Sequence, residues 1–287
     1  MIRFILAMLA LVIPASVFAA PTVEYEQHFN GALPADWFNG AERYAGYPHT
    51  ETRPGNKEYQ QYLPSQAATE MGRLKLRAQR MTTAQHLLWA RRIDNPKAAY
   101  ATGLRAADGG LMYGPVLSDL ERVDWVSGQI SSWPKLPVAP GRIFTARFRL
   151  PVGANLFPGI WAFDYAGSTE VDLMEGSGRA ASDPLGNVSQ GIHDFKSNIH
   201  TGCAKKSIPT AGEHTAKLDW SDPTKIDFYM DGLLNCSVKA TANMTRPMAI
   251  IINLAVGSGG WPWIGIPSAA TPNPAEFLVD YVKVEKP

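Results

Sequence analysis

The stretch STEVDLMEG, Ser168 to Gly176, places Glu170, Asp172 and Glu175 within six consecutive residues of a chain in which only 18% of residues are charged. Apart from these acids the stretch reads as a strand. Side chains alternate along a regular strand, so Glu170, Asp172 and Met174 would share one face and Glu175 would point to the other. One extra residue, a β-bulge near Leu173 and Met174, returns Glu175 to the face of Glu170 and Asp172. Three carboxyls on one surface repel one another, which raises the pKa of at least one of them. Retaining glycoside hydrolysis has this requirement: an ionised nucleophile and a protonated acid about 5 to 5.5 Å apart across the scissile bond. Asp172, between them, can hydrogen-bond the nucleophile and hold its charge and rotamer. The pattern alone leaves two other readings open, a solvated strand face and a set of calcium ligands.

The elements that must position these acids are strands. GRLKLRAQ, GRIFTARFRLP, HTAKLDW, KIDFYMDG, MAIIINLAVG and FLVDYVKVE alternate or are rich in β-branched residues. Turn residues separate them, and 25 Gly and 22 Pro interrupt most helical windows. An all-β sandwich is expected. PKAAYATGLRAADGG reads as a loop or a short helical piece, and KIDFYMDGLLNCSV as a hairpin turning at Asp231-Gly232. No repeat, low-complexity tract or linker lies between Glu24 and Lys286, so residues 21–287 are expected to form one catalytic-size domain.

The first 20 residues carry Arg3, an apolar run from Phe4 to Val12, Pro14, and small residues at Ala19 and Ala20. This is the pattern of a cleaved export signal, and the apolar run is shorter than the ~20 residues a membrane span needs. A secreted or periplasmic mature protein is expected. Without the leader the basic and acidic residues are equal in number, which gives no electrostatic basis for binding nucleic acid or an anionic membrane. Cys203 and Cys236, the two cysteines of an exported chain, suit a disulfide better than a metal site.

The sequence resembles glycoside hydrolase family 16, in its laminarinase-like branch, whose signature strand reads E-x-D-x-x-E with a bulge. NKEYQQYL, Asn56 to Leu63, is similar to the family's N-x-E-x-Q-x-Y segment. SGQISS and GRIFTARFRLP are similar to its S-G-R-I and G-R-F-E-A-R-I-K-L-P strands, and LFPGIWAF to the strand that precedes the acids. GIHDF, EHTAKLDW, KIDFYMDG, IINLAVGSGGWP and FLVDYVKVE follow in the family's order, so the resemblance covers nearly the whole mature chain. It implies a jelly-roll β-sandwich of the concanavalin A-like kind, with a concave sheet forming a sugar-binding cleft. It also implies Glu170 as nucleophile, Glu175 as general acid/base and Asp172 as assisting carboxylate. No cofactor is required for this chemistry.

Further residues follow from the resemblance. Trp161 would stack on a sugar ring, since an indole face suits the apolar face of a sugar. His193 would hydrogen-bond an acid or a hydroxyl, or be an ordinary structural histidine. Asn56 and Glu58 would lie at the cleft edge, Glu58 reading hydroxyls or holding a loop. Trp261 and Trp263, in a Gly/Pro-rich loop, are candidate subsite walls, and Trp125 and Trp133 weaker ones. Strand packing explains His214 and Trp220. Asp280 lies in the last strand, where the family often holds a structural calcium. Gln129 stands where the family has arginine, and Arg91 to Trp125 is longer than the family pattern, so the resemblance says less about which polymer is cut.

The expected partner is a polysaccharide, most simply a β-1,3- or mixed-linkage glucan, acted on by a monomer. A galactan or bacterial exopolysaccharide, cut or transglycosylated by the same acids, is the alternative. A carbohydrate-binding protein on the same sandwich would not need both glutamates, and a calcium-dependent envelope protein would bind without cleaving. The sequons NVS, NCS and NMT matter only in a host that glycosylates exported chains.

Overall fold

The computed structural model describes residues 20–39, 58–82, 125–164, 166, 168–177, 185–258 and 261–287. The segment expected to be an export leader, up to residue 19, together with Asn56, PKAAYATGLRAADGG and all but the end of the Arg91 to Trp125 segment, lies outside the described residues.

The strands in chain order are β1 (Thr22–Gln27), β2 (Phe38–Asn39), β3 (Gln60–Tyr62), β4 (Ala67–Glu70), β5 (Arg73–Arg80), β6 (Trp125–Ser127), β7 (Gln129–Ser131), β8 (Ile143–Arg149) and β9 (Leu156–Asp164). They continue as β10 (Thr169–Ser177), β11 (Leu185–Asp194), β12 (Ile199–Gly202), β13 (Lys206–Pro209), β14 (His214–Asp219), β15 (Lys225–Met230), β16 (Leu233–Lys239), β17 (Ala249–Val256) and β18 (Ala275–Lys286). A 3-10 turn at Pro64–Gln66 is the helical element among the described residues.

These strands form two sheets, as the alternating runs predict. One has ten strands, with β16-β15-β14-β8-β18-β5-β6-β3 in order, β1 beside β18 and β4 beside β5. The other has eight, β12-β11-β10-β9-β17-β7-β2, with β13 beside β11. Neighbours are antiparallel except β3 and β6, and the chain passes repeatedly from one sheet to the other. This is the jelly-roll sandwich.

Alternation decides what each sheet contributes to the core. On β8 Phe144, Ala146 and Phe148 face inward while Arg147 and Arg149 face solvent. Ala216 and Leu218 of β14, Ile226 and Phe228 of β15, and Phe277 and Val279 of β18 repeat the pattern. From the eight-stranded sheet Ile160 and Ala162, Val171, Leu173 and Met174, and Ile250, Ile252 and Leu254 meet them. Each such large side chain contributes about 1.5 to 3 kcal/mol by leaving water. Trp125 and Trp220 are fully buried in this core, which corrects the reading of Trp125 as a subsite residue and agrees with packing for Trp220. His214 is also structural, bonding Asp231 Oδ2 at 2.8 Å and the Pro209 carbonyl at 2.7 Å.

The hairpin falls where the Asp-Gly pair predicts. Met230 pairs with Leu233, and Asp231 and Gly232 both take positive φ, 52° and 78°, as a two-residue turn between twisted strands requires.

Cys203 and Cys236 form a disulfide, their Cα atoms 5.5 Å apart. It joins the β12–β13 connection at the edge of one sheet to β16 at the edge of the other. The bond closes a loop of 33 residues, so removing it with the Cys203→Ser, Cys236→Ser double variant is expected to cost about 3 to 4 kcal/mol, read by denaturant unfolding against the oxidised protein.

Candidate active site

The carboxylate strand β10 carries the bulge. Against β9 its register runs Asp172 with Trp161 and then Met174 with Ile160, and against β11 it shifts between Asp172 and Glu175. Leu173 and Met174 are consecutive residues that both enter the core. That double inward step places Glu170, Asp172 and Glu175 together on the outward face. The expectation for Met174 on a regular strand is thereby replaced: it packs inward.

The neighbouring strands supply the rest of this face. Phe157, Gly159, Trp161 and Phe163 of β9 alternate with its core residues, as do Ala249, Ile251, Asn253 and Ala255 of β17. Two apolar groups result. Phe163, Ala249 and Ile251 pack with Phe38, Trp133, Leu136 and Trp161, while Phe157, Ala255 and Ile264 pack with Trp261 and Trp263. In the register Phe163 pairs with Glu170 and Gly159 with Glu175. Each apolar group therefore flanks one end of the acid row.

Hydrogen bonds connect the acids to β11. His193, opposite Glu170 in the register, reaches Asp172 Oδ2 with Nε2 at 3.0 Å. Its other ring nitrogen lies 2.5 Å from Nδ1 of His200, and its ring stacks on the half-exposed Phe195 at 5.7 Å. Ser189 donates to Glu175 Oε2 at 3.4 Å. Lys205 sets its ammonium 3.7 Å from the centre of the Trp263 ring.

The electrostatics follow from crowding. Glu170 is held well above the ordinary carboxylate range, by burial first and then by the charges of Asp172 and Glu175. Glu175 is pushed up to about 8 by burial and by Asp172, against the opposing pull of His193, Ser189 and Lys205. Burial works against the charged form of His193, but its bond to Asp172 and the nearby acids raise its pKa on balance. At neutral pH Glu175 thus keeps its proton, the state a general acid needs.

Sequence reading and structure meet at Glu170, Asp172, Glu175, Trp161 and His193, which the fold brings together, with Trp261 and Trp263 beside the Glu175 end. Glu58 is buried, and its carboxylate is tied to Gln60 at 2.6 Å and Tyr62 at 3.4 Å. Asp280 lies elsewhere, on β18, 3.4 Å from the Arg147 guanidinium. A cation beside that carboxylate does not fit a calcium site. Among the described residues, Glu170, Asp172 and His193 are the set whose donor atoms, within 4.8 Å of one another, could hold a metal ion. Their mutual hydrogen bonds serve the carboxyl chemistry equally well.

Lys205, His200, Phe195 and Asn253 were not singled out from sequence. Lys205, His200 and Phe195 lie in or beside β12 and carry no local pattern. Asn253 did offer a signal, as the one polar side chain in AIIINLAV, a strand buried throughout.

Fold and site together define a jelly-roll β-sandwich with three carboxyls on one open face. No family model matches the chain. The chain is 30% identical over 191 residues to the glucan endo-1,3-beta-glucosidase A1 of Niallia circulans, covering 56% of this chain and 26% of that protein. It is 30% identical over 166 residues to a glucan endo-1,3-beta-glucosidase of Cryptopygus antarcticus, covering 49% and 60%. With the endo-1,3-1,4-beta-glycanase ExsH of Rhizobium meliloti it shares 23% identity over 170 residues, 58% of this chain and 35% of the other. The matched regions therefore span between 26% and 60% of those relatives' length. Among solved structures, the catalytic domain of a Thermotoga petrophila laminarinase superposes with a TM-score of 0.65 at 19% identity, covering 93% of this chain and 98% of that one. SCLam, a non-specific endo-beta-1,3(4)-glucanase from family GH16, gives 0.67 at 21% identity, covering 96% and 95%. The resemblance to glycoside hydrolase family 16 read from the sequence thus holds in fold and in sequence.

The raised pKa of Glu175 has a consequence for stability. An unfolded chain releases this proton near 4.5 and the folded chain near about 8, so stability falls as pH rises between those values. Glu175→Gln carries no such proton. Its Tm relative to the native chain is expected to be higher at about pH 9 than at about pH 4.

Proposed function

We propose that this chain is an exported, monomeric, retaining endo-β-glycoside hydrolase of family 16 that cuts β-1,3- or mixed β-1,3(1,4)-linked glucan without a cofactor. The observation that carries the reading is the bulge, which sets Glu170, Asp172 and Glu175 on one outward face with Glu175 protonated at neutral pH. The names and folds of the similar proteins support the glucan, and the aromatic groups flanking the acids suit sugar rings.

The steps follow from those positions. Glu170 shares a hydrogen bond with Asp172, which orients its carboxyl, and in its ionised form Glu170 is the nucleophile that faces the anomeric carbon. Glu170 attacks that carbon while Glu175 gives its proton to the glycosidic oxygen, so the bond to the departing sugar breaks as the glycosyl ester forms. Water enters on the side the leaving sugar vacated. Glu175, now a carboxylate, takes a proton from that water, which attacks the anomeric carbon and frees Glu170 with configuration retained. His193 holds Asp172 in place throughout.

Reducing-end release from laminarin, mixed-linkage glucan, xyloglucan, agarose and carrageenan tests the proposal. Cleavage of the first two is expected, with Glu170→Gln folded and at least ~10³-fold slower. Binding to a glucan without cleavage, equal in both proteins, would replace the enzyme with a carbohydrate-binding protein. A second expectation concerns pH. Lys205 pulls the pKa of Glu175 down, so Lys205→Met should move the alkaline limb of kcat/KM to higher pH, which a pH–rate profile on the cleaved glucan would show.

A further inference from the structure

A network of five side chains joins the buried strand β3 to the open face of β9. The Trp161 indole nitrogen donates to Asn253 Oδ1 at 2.8 Å. Asn253 Nδ2 donates to the Tyr62 hydroxyl at 2.9 Å. Tyr62 in turn donates to Glu58 Oε2 at 3.4 Å, and Gln60 Nε2 donates to the same oxygen at 2.6 Å. Gln60 Oε1 accepts from the Val256 backbone N–H at 2.7 Å.

Every direction in this chain is forced. An indole nitrogen only donates, so the Asn253 amide must turn its oxygen to Trp161 and its nitrogen to Tyr62. Tyr62 must then accept from Asn253 and spend its own proton on Glu58. The Val256 N–H forces the Gln60 amide the same way, with nitrogen toward Glu58. The carboxylate is the common acceptor on which both branches end. Tyr62 is buried, and burial followed by the Glu58 charge raises its pKa well above 10.0, which keeps it a donor.

Space for the last link comes from Gly159. A Cβ there would lie 2.7 Å from Asn253 Oδ1 and 3.2 Å from Trp161 Cδ1. Gly159 pairs with Glu175 on one side and Asn253 on the other, so the bare backbone beside the acid admits the hydrogen bond that holds the indole. Trp161 itself pairs with Asp172. On the open side its ring meets Phe163 edge-on at 6.2 Å and packs against the apolar group of Phe163, Ala249 and Ile251.

We propose that Glu58, Tyr62 and Asn253 form a directed hydrogen-bond relay that sets the tilt of the Trp161 indole beside the acids, which makes Asn253 a positioning residue of the cleft and gives Glu58 a holding role rather than contact with sugar. The value of that tilt to the enzyme rests on the reading above, in which Trp161 is a sugar platform. The relay itself does not.

The test uses the full mature chain with ¹⁵N-labelled tryptophan. The Trp161 indole N–H signal is identified by its loss in Trp161→Phe and followed in Asn253→Leu, Tyr62→Phe and Glu58→Gln. Its shift is expected in all three, largest in Asn253→Leu, with the other indole signals in place. On the cleaved glucan, KM should rise about tenfold in Asn253→Leu with kcat changed far less, and less steeply in Tyr62→Phe. An unmoved Trp161 signal in Tyr62→Phe and Glu58→Gln overturns the relay, and these milder variants decide the matter if Asn253→Leu does not fold. A fall in Tm with KM unchanged overturns the positioning role. Failure of the native chain to cut any glucan would count against the proposed function alone, since the indole shift still reports the relay.

Discussion

The site depends on one irregularity in one hydrogen-bond ladder. At Leu173 and Met174 two consecutive side chains turn into the core, and the next residue, Glu175, therefore emerges on the same side as Asp172. A regular strand would bury one glutamate or the other in an apolar interior, where an ionised carboxylate is heavily penalised. The bulge costs local ladder bonds and is held by the apolar side chains it directs inward. The core thus stabilises the arrangement that makes the acids repel one another.

That repulsion is balanced from the adjoining elements. His193 on β11 and Lys205 before β13 bring positive charge toward Asp172 and Glu175, and Ser189 adds a hydrogen bond. None of these removes the proton from Glu175. The outcome, three carboxyls with fewer negative charges than acids, is the division of labour a double displacement needs. The disulfide at Cys203 anchors the segment that carries Lys205, two residues away, to the other sheet.

Away from the acids the outward face is divided into apolar ends and a polar waist. Phe163 with Trp133 and Trp161 lie toward Glu170, and Phe157 with Trp261 and Trp263 toward Glu175. Asn253 and Gly159 lie between. A polar residue in the middle of an otherwise apolar buried strand, and a glycine opposite it, are local departures from pattern that coincide with the chemistry, as expected where structure serves a site.

Much was legible in the linear chain because the physics involved is local. Period-two alternation marked the strands, Asp231-Gly232 the hairpin, and two acids plus a third at the wrong spacing marked the bulge. The chemistry of E-x-D-x-x-E followed from residue type and spacing. What only the tertiary structure decided is which distant side chains share a surface. Trp125, which with Trp133 flanks SGQISS, was a weaker subsite candidate, yet β6 buries it. Asp280 looked like a metal ligand until β8 set Arg147 against it. Glu58, 195 positions from Asn253 in the chain, meets it through Tyr62 only because the fold brings β3 up to β17. Such contacts depend on how sheets stack rather than on any spacing along the strand, so sequence order carries no trace of them.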